Sequence, residues 1–401
     1  MENQFARGSL DGVRVVEFAQ VIAGPLAGTL MADLGADVVH VESPRQGDAL
    51  RYSGPDKNGT HLWWKVLGRN KRSVSLDLHQ SRGKEVAEDL VRWADVVIVT
   101  FRADTAKSFG LDWDRLSEVN PSAVVLQISG YGAATSRRND PGFGKVGEAR
   151  SGVVHITGEP DGPPIHTGFS HGDATTALMG AFAVSAALYR RAMDPDRAGE
   201  WIDLALYETL FRLVEWQVIV YDQLGMIPER AGNSLPIAPG AVINTFRSED
   251  GKWVTVTSAT PRSVQNIAAV LGYDPAEFAG IETQLKRSEE LEKGLRSWIS
   301  RRSAEDAVEL LTRAEVVAST IYSIEDIFAD PIYHERSNLI DVQDPDLGTV
   351  KMQGVVPQMR RFPGRVWRAG PELGQDNELV FGEWLGLGSK TLMSLRDSGV
   401  I

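Results

Sequence analysis

The chain has 401 residues, a formal net charge of −12 and no cysteine. That length accommodates two domains, each with its own core. The lack of thiols excludes disulfides, thiolate metal sites and cysteine nucleophiles, and the acidic balance argues against nucleic acid or an anionic membrane as partner. Seven scattered histidines, without HExxH or carboxylate–His spacing, offer no metal site. No apolar run is long enough to span a membrane. The start, Met1-Glu-Asn-Gln-Phe-Ala-Arg7, lacks the apolar core of a secretory signal, so a cytoplasmic location is expected.

Residues 10–130 alternate in the manner of βαβ units. Residues 13–19 read as a strand and 25–34 as a helix, with Pro25 in its first turn and Gly35 as its stop. A strand over 36–42 follows. Residues 73–78 alternate like another strand and lead into a helix over 82–93. The apolar runs 95–100 and 123–129 have the length of buried parallel strands. This series predicts an α/β fold, a doubly wound sheet with ligands at the carboxyl ends of its strands. The loop 20–25 follows the first strand and opens a helix, so its N–H groups are placed to meet an anion. The dinucleotide spacing G-x-G-x-x-G is absent there. It occurs at Gly142, Gly144 and Gly147, after the polar residues 137–141 instead of a strand, and reads as a flexible glycine loop near a site.

Further on, residues 201–206 look like a strand and 209–224 like a helix, and 228–239, with Gly232, Asn233 and three prolines, like a crossing linker. Strands at 242–246 and 253–257 flank a turn at Asp250-Gly251. Helical segments then run over 261–329 until Asp330-Pro331 breaks them, short strands return over 337–356, and a helix near 376–397 ends the chain. The expected domains are 1–225 and 331–401 as parts of a large one, with a smaller α+β domain at 226–330.

Residues 168–191 organise the chain. They open as a loop, place an acid at Asp173 and continue in a helical pattern from Ala174 to about Tyr189. The pattern is crowded with Ala, Gly and Ser and has almost no polar face, which predicts a helix buried all round. Arg190 and Arg191 suit its C-terminal end, and Asp173 then sits at the N-cap. The residues alone leave two readings for it: a cap contributing about 1 kcal/mol, or a nucleophile or base held by a rigid element. A third reading makes Ser170 a hydrolase nucleophile with His334 as its partner, because Gly168-Phe-Ser170-His-Gly172 fits the G-x-S-x-G elbow. An elbow follows a hydrophobic strand, whereas residues 158–167 contain three prolines and read as loop.

Taken together, the chain strongly resembles the class III CoA-transferases, the family of formyl-CoA transferase and carnitine CoA-transferase. The resemblance runs nearly end to end. It rests on Leu10-Asp-Gly-Val-Arg-Val-Val-Glu-Phe18, Ala23-Gly-Pro25, Leu34-Gly-Ala-Asp-Val-Val-His-Val-Glu42, Gly47-Asp48, Asn70-Lys-Arg-Ser73, Leu76-Asp-Leu78, Ala94-Asp-Val96 and Gly172-Asp173, and near the end on Asp344-Pro-Asp-Leu-Gly-Thr-Val350 and Leu385-Gly-Leu387. It implies a Rossmann-like large domain built from both chain ends, a smaller domain between them, and a ring-shaped subunit interlocked with a second one as a homodimer. It implies acyl-CoA and a carboxylic acid as substrates, no metal, and Asp173 as a nucleophile that passes through anhydride and aspartyl-CoA thioester intermediates.

The resemblance also assigns residues to the substrates. CoA is expected at Ala23 and Thr100, with Arg45, Lys71, Arg72, Arg102 and Lys107 as candidate cations for its phosphates. Ile22, Gly144, Lys145, His171 and Gly240 are expected around the acyl group, with Lys145 and His171 available to a second carboxylate, which suggests succinyl-CoA as donor. The chain departs from formyl-CoA transferase in several places. Ile22 replaces a catalytic glutamine, the glycine-rich lid loop becomes residues 234–240 with one glycine, and a Tyr-Glu pair aligns with Gly144 and Lys145. Oxalate-type chemistry is therefore not expected. The α-methylacyl-CoA racemases of the same superfamily use a His that aligns near Phe143, and no His lies between His79 and His155.

Overall fold

Val15, Val38, Val96, Ile98, Val124 and Leu126 are buried in one core, and their chain neighbours Val16, Val39, Val97 and Val125 in another. Strands covered on both faces need apolar residues at consecutive positions, which is why these segments read as unbroken runs. They belong to a six-stranded parallel sheet. Its strands are β1 (Arg14–Phe18), β2 (Asp37–Glu42), β3 (Lys71–Ser75), β4 (Val96–Val99), β5 (Val124–Ser129) and β6 (Glu200–Ala205). Their spatial order is β3-β2-β1-β4-β5-β6, with Val16 aligned to Val39 on one side and Val97 on the other. The order reverses between β1 and β4. In an open parallel sheet the crevice outside the strands' carboxyl ends at that switch is where ligands bind.

The computed structural model describes residues 8–235, 238, 240–258 and 260–401. The chain divides into two compact units, one of residues 1–153, 166–216 and 332–401, the other of residues 154–165 and 217–331. The first draws on both chain ends: Val380, Phe381, Leu392, Leu395 and Val400 share a core with Val16, Val39 and Val97. Residues 154–165, expected with the large domain, belong to the second unit. That unit has a three-stranded antiparallel sheet of Val242–Arg247, Trp253–Ser258 and Ala318–Thr320, packed with helices around Phe246, Phe278, Leu291 and Leu295. The third strand lies within the stretch read as helical; three residues are too few to announce an alternation.

Several element boundaries differ from the sequence reading for definite reasons. β3 begins at Lys71, two residues before the expected start, because Lys71 is buried in an ion pair and so carries no apolar signal. The helix expected over 209–224 is two, Glu208–Leu213 and Trp216–Leu224, and the break falls where one unit gives way to the other. The last helix is likewise interrupted, a wide π-type turn at Glu378–Trp384 preceding Ser389–Asp397.

Three helices bear on the site: α1 (Ala23–Asp33), α2 (Gly144–Arg150) and α3 (His171–Met193). α2 replaces the expected flexible glycine loop. α3 starts before the expected Ala174, with Ser170 as its N-cap, so Asp173 is the third helical residue and not the cap. Its buried side carries Thr176, Ala177, Gly180 and Val184. Gly180 permits close packing, since a Cβ there would meet Leu126 Cδ2 at 2.8 Å. The other side is open: Leu178, Phe182, Tyr189 and Met193 are between 58% and 71% exposed, so α3 is not buried all round in the single chain.

Candidate active site

A cavity of about 390 Å³ opens at the carboxyl ends of β1, β4 and β5, at the switch in strand order. The chain leaving β1 contributes Gln20, Val21, Ile22 and Ala23, the chain leaving β4 contributes Thr100 and Arg102, and Ser129 and Gly130 close the end of β5. Thr100 ties two of these segments, its hydroxyl oxygen accepting the Gln20 N–H at 3.2 Å. Asp173 lines the same cavity.

Asp173 stands in the first turn of α3, where free N–H groups and the helix dipole favour an anion. It is nevertheless not the residue that takes those groups. Glu148 in α2 takes one of them, its Oε1 accepting the Gly172 N–H at 3.1 Å. The same carboxylate accepts from Lys145 Nζ at 3.1 Å and holds His166 Nδ1 at 2.6 Å. The Asp173 carboxylate makes no hydrogen bond among the described residues. Burial, and next the negative charge of Glu148, push its carboxyl up from the ordinary 3.8 to about 6, while Lys145 works in the opposite direction. A desolvated carboxylate without donors is a better nucleophile than one fully hydrogen-bonded. α2 and α3 meet so closely here that a Cβ on Gly144 would overlap Asp173 Oδ2, and one on Gly172 would come within 2.6 Å of Gly144 O. Sequence reasoning missed Glu148. A lone acid in the glycine-rich stretch 142–152 was the signal that could have found it.

Comparison with known proteins decides what this site belongs to. The model of "CoA-transferase family III" matches residues 10–377. The chain belongs to that family. It is an enzyme, a CoA-transferase acting on acyl-CoA. Among curated relatives, it is 36% identical to the succinyl-CoA–D-citramalate CoA-transferase of Chloroflexus aurantiacus, over 100% of both chains. It is 32% identical to the succinate–glutarate CoA-transferase of Agrobacterium fabrum, over 93% of this chain and 95% of that one. A crystal structure of a CAIB/BAIF family protein from Brucella suis superposes with a TM-score of 0.82 at 28% identity, covering 94% of this chain and 99% of the other.

In this family III transferase, Ala23, Ile22, Thr100, Arg102 and Asp173 come together around one cavity, and Gly144 lies against Asp173. Other expected residues stand elsewhere. Lys71 is fully buried, its Nζ 2.5 Å from Glu17 and 2.6 Å from Pro25 O, so it is withdrawn from any phosphate. Arg72 is engaged between the rings of Trp367 and Trp384 and faces Asp376 at 3.5 Å. Arg45 is exposed, and Lys107 lines a separate shallow cavity with Asp104, Asp112 and Arg138. Lys145 is no free cation for a second carboxylate: besides Glu148 it donates to Thr167 O at 2.9 Å and Phe169 O at 3.1 Å, strapping the loop before Asp173. His171 packs against Phe169 with the rings tilted by 43°, and its Nδ1 is buried.

Gly240, at φ 82°, packs on the backbone of Gln284 and Leu285 in the second unit, while Pro236, Ile237 and Pro239 of the expected lid loop lie outside the described residues. No strand leads into Ser170, which starts α3 after a loop, so the elbow geometry is missing. Phe143 lines the cavity where a racemase would have its His. Among the described residues, no cluster of three or more His, Asp or Glu side chains could hold a metal, and no helix is long and apolar enough to cross a membrane.

Proposed function

We propose that this transferase takes CoA from succinyl-CoA and delivers it to a short dicarboxylic acid, in the cytoplasm and as an interlocked homodimer of ring-shaped subunits. The activities of the relatives, succinyl-CoA with D-citramalate and succinate with glutarate, support the donor and the acceptor class. Since Lys145 is bound to its own loop, the dicarboxylate reading rests on those relatives and not on that lysine.

The observation that carries the mechanism is the unpartnered, desolvated Asp173 carboxylate on the cavity wall. It attacks the thioester carbonyl of the donor. The C–S bond breaks, CoA leaves as a thiolate, and a mixed anhydride joins Asp173 to succinate. The thiolate then attacks the Asp173 acyl carbon, succinate departs, and an aspartyl-CoA thioester remains. The acceptor carboxylate reverses both steps: it attacks the aspartyl carbon and displaces the thiolate, forming a second anhydride, and the thiolate then attacks the acceptor's carbonyl carbon, giving the new acyl-CoA and releasing the Asp173 carboxylate. No proton or water is consumed, so excluding water protects both intermediates from hydrolysis.

Enzyme given succinyl-CoA without acceptor should accumulate a CoA adduct on the Asp173 peptide, cleaved by hydroxylamine and reduced by borohydride. Asp173→Asn should lose transfer by several orders of magnitude, while Ser170→Ala costs far less. A fully active Asp173→Asn enzyme, or an acyl label on Ser170, would refute this mechanism. In a panel of donors and acceptors, activity confined to aromatic or branched monocarboxylic acyl-CoAs would refute the dicarboxylate assignment.

A further inference from the structure

A set of buried charges lies beneath the start of α1, and the mechanism above uses none of them. Glu17 in β1, His40 in β2 and Lys71 in β3 are without solvent exposure. His40 Nδ1 and Lys71 Nζ both meet Glu17 Oε1, at 2.7 and 2.5 Å. On the other edge of its ring, His40 Nε2 lies 3.4 Å from Asp48 Oδ2. Glu42 closes the web, accepting from Arg51, from the Ser73 hydroxyl and from the Asp48 backbone N–H at 2.8 Å. Burial alone would strip the proton from His40, but Glu17, Asp48 and Glu42 outweigh it and raise the imidazole to about 9, so it is a cation.

Asp48 carries this web to two backbone amides, and the first, the Leu50 N–H, donates to its Oδ1 at 2.8 Å. The second, the Val21 N–H, donates to both oxygens of Asp48, at 3.2 and 3.0 Å. Val21 stands at φ 68°, a left-handed conformation that a β-branched residue rarely adopts. Val21 lines the cavity with Asp173, and α1 begins two residues later at Ala23. A right-handed or extended Val21 would redirect Ile22 and the first amides of α1 away from their present place on the cavity wall.

We propose that Asp48, clamped by His40, is a positioning residue that locks Val21 in its left-handed turn and thereby sets the cavity wall formed by the start of α1. The proposal takes from the CoA-transfer reading only what the cavity holds. It gives a common task to residues far apart in sequence, namely Glu17, His40, Asp48 and Lys71. Asp48 itself touches no substrate and acts through the Val21 backbone.

The test is a comparison of wild type, Asp48→Asn, and Asp48→Asn combined with Val21→Gly. Asp48→Asn keeps one acceptor oxygen but loses the second oxygen and the charge that His40 holds. Misplacing the wall should lower kcat/KM by about 10- to 100-fold, and exchange of the Val21 amide with deuterium should accelerate by about tenfold or more, reflecting lost protection. Glycine adopts a left-handed turn without a Cβ penalty, so Val21→Gly in the Asp48→Asn background should restore most of the lost rate. A purely structural Asp48 would lower Tm without that rescue. Unchanged exchange and rate in a folded Asp48→Asn enzyme would overturn the proposal, as would a loss of rate that Val21→Gly fails to relieve. Should Asp48→Asn not fold, His40→Gln withdraws the clamp from the other side and carries the same comparison. If wild type forms no adduct on Asp173, the reaction reading fails by itself, while the exchange at Val21 still decides this one.

Discussion

At the scale of single residues, the site divides between two carboxylates the tasks of cap and nucleophile, which the sequence left as alternative readings of Asp173. Glu148 accepts the Gly172 N–H at the start of α3, and Asp173 is left with its charge desolvated and without donors. The pH dependence follows. The nucleophile is the carboxylate, so the rate of the first half-reaction should fall as pH drops through about 6, where Asp173 takes up its proton. Glu148 raises that value and Lys145 lowers it; Glu148→Gln should therefore move the acidic limb of kcat/KM to lower pH, and an unmoved limb would contradict the coupling. The sign for stability is also fixed. A carboxyl raised in the folded state favours the protonated fold, so its charged form opposes folding. The penalty is absent below the ordinary 3.8 and reaches full size above about 6. Asp173→Asn should then stabilise the protein near neutral pH by about 1 kcal/mol, or roughly 1–2 °C in Tm for a chain of this size, and the gain should vanish in thermal scans at acid pH. Asp173 stood out in the sequence because it precedes a long pattern of small residues. Lys71 and Lys145 were misjudged because a sequence gives the charge of a lysine and not its acceptors, which here are Glu17, Glu148 and backbone carbonyls.

At the scale of elements, the strands were legible and the site's second helix was not. β1, β2, β4 and β5 could be read because burial on both faces leaves apolar runs of fixed length, bounded by Gly and polar residues. α2 carries Gly144 and Gly147, and a sequence with such glycines argues for a loop. Contact geometry explains Gly144. A Cβ would collide with the Asp173 carboxylate, and one on Gly172 would crowd Gly144 O, so both positions serve the approach of α2 to α3. Alanine is a better helix former than glycine, so Gly144→Ala should leave α2 formed while displacing Asp173. The expected outcome is a loss of about 100-fold in the first half-reaction with far-UV circular dichroism unchanged. A Gly144→Ala enzyme with wild-type rate would mean that the Asp173 carboxylate occupies another place during catalysis.

At the scale of the whole molecule, the single chain leaves surface that an isolated protein does not ordinarily expose. Leu178, Phe182, Tyr189 and Met193 are spaced by four, seven and four residues, so they share one face of α3. On the same helix, the opposite side is packed on the sheet through Gly180 and Val184. The small-residue composition that suggested a helix buried all round is therefore half explained by this chain. A second copy of the chain is the occupant we assign to the open face. Fully burying a side chain of this class contributes about 1.5–3 kcal/mol, and a twofold contact counts each of them twice. Sedimentation should then show a dimer even at nanomolar concentration. Phe182→Glu places a charge in that contact, where burial without a partner costs several kcal/mol; it should yield monomer or aggregate, and transfer activity should fall with the dimer fraction. A wild-type chain that sediments as a stable, folded monomer would leave these side chains in water and would refute the assignment.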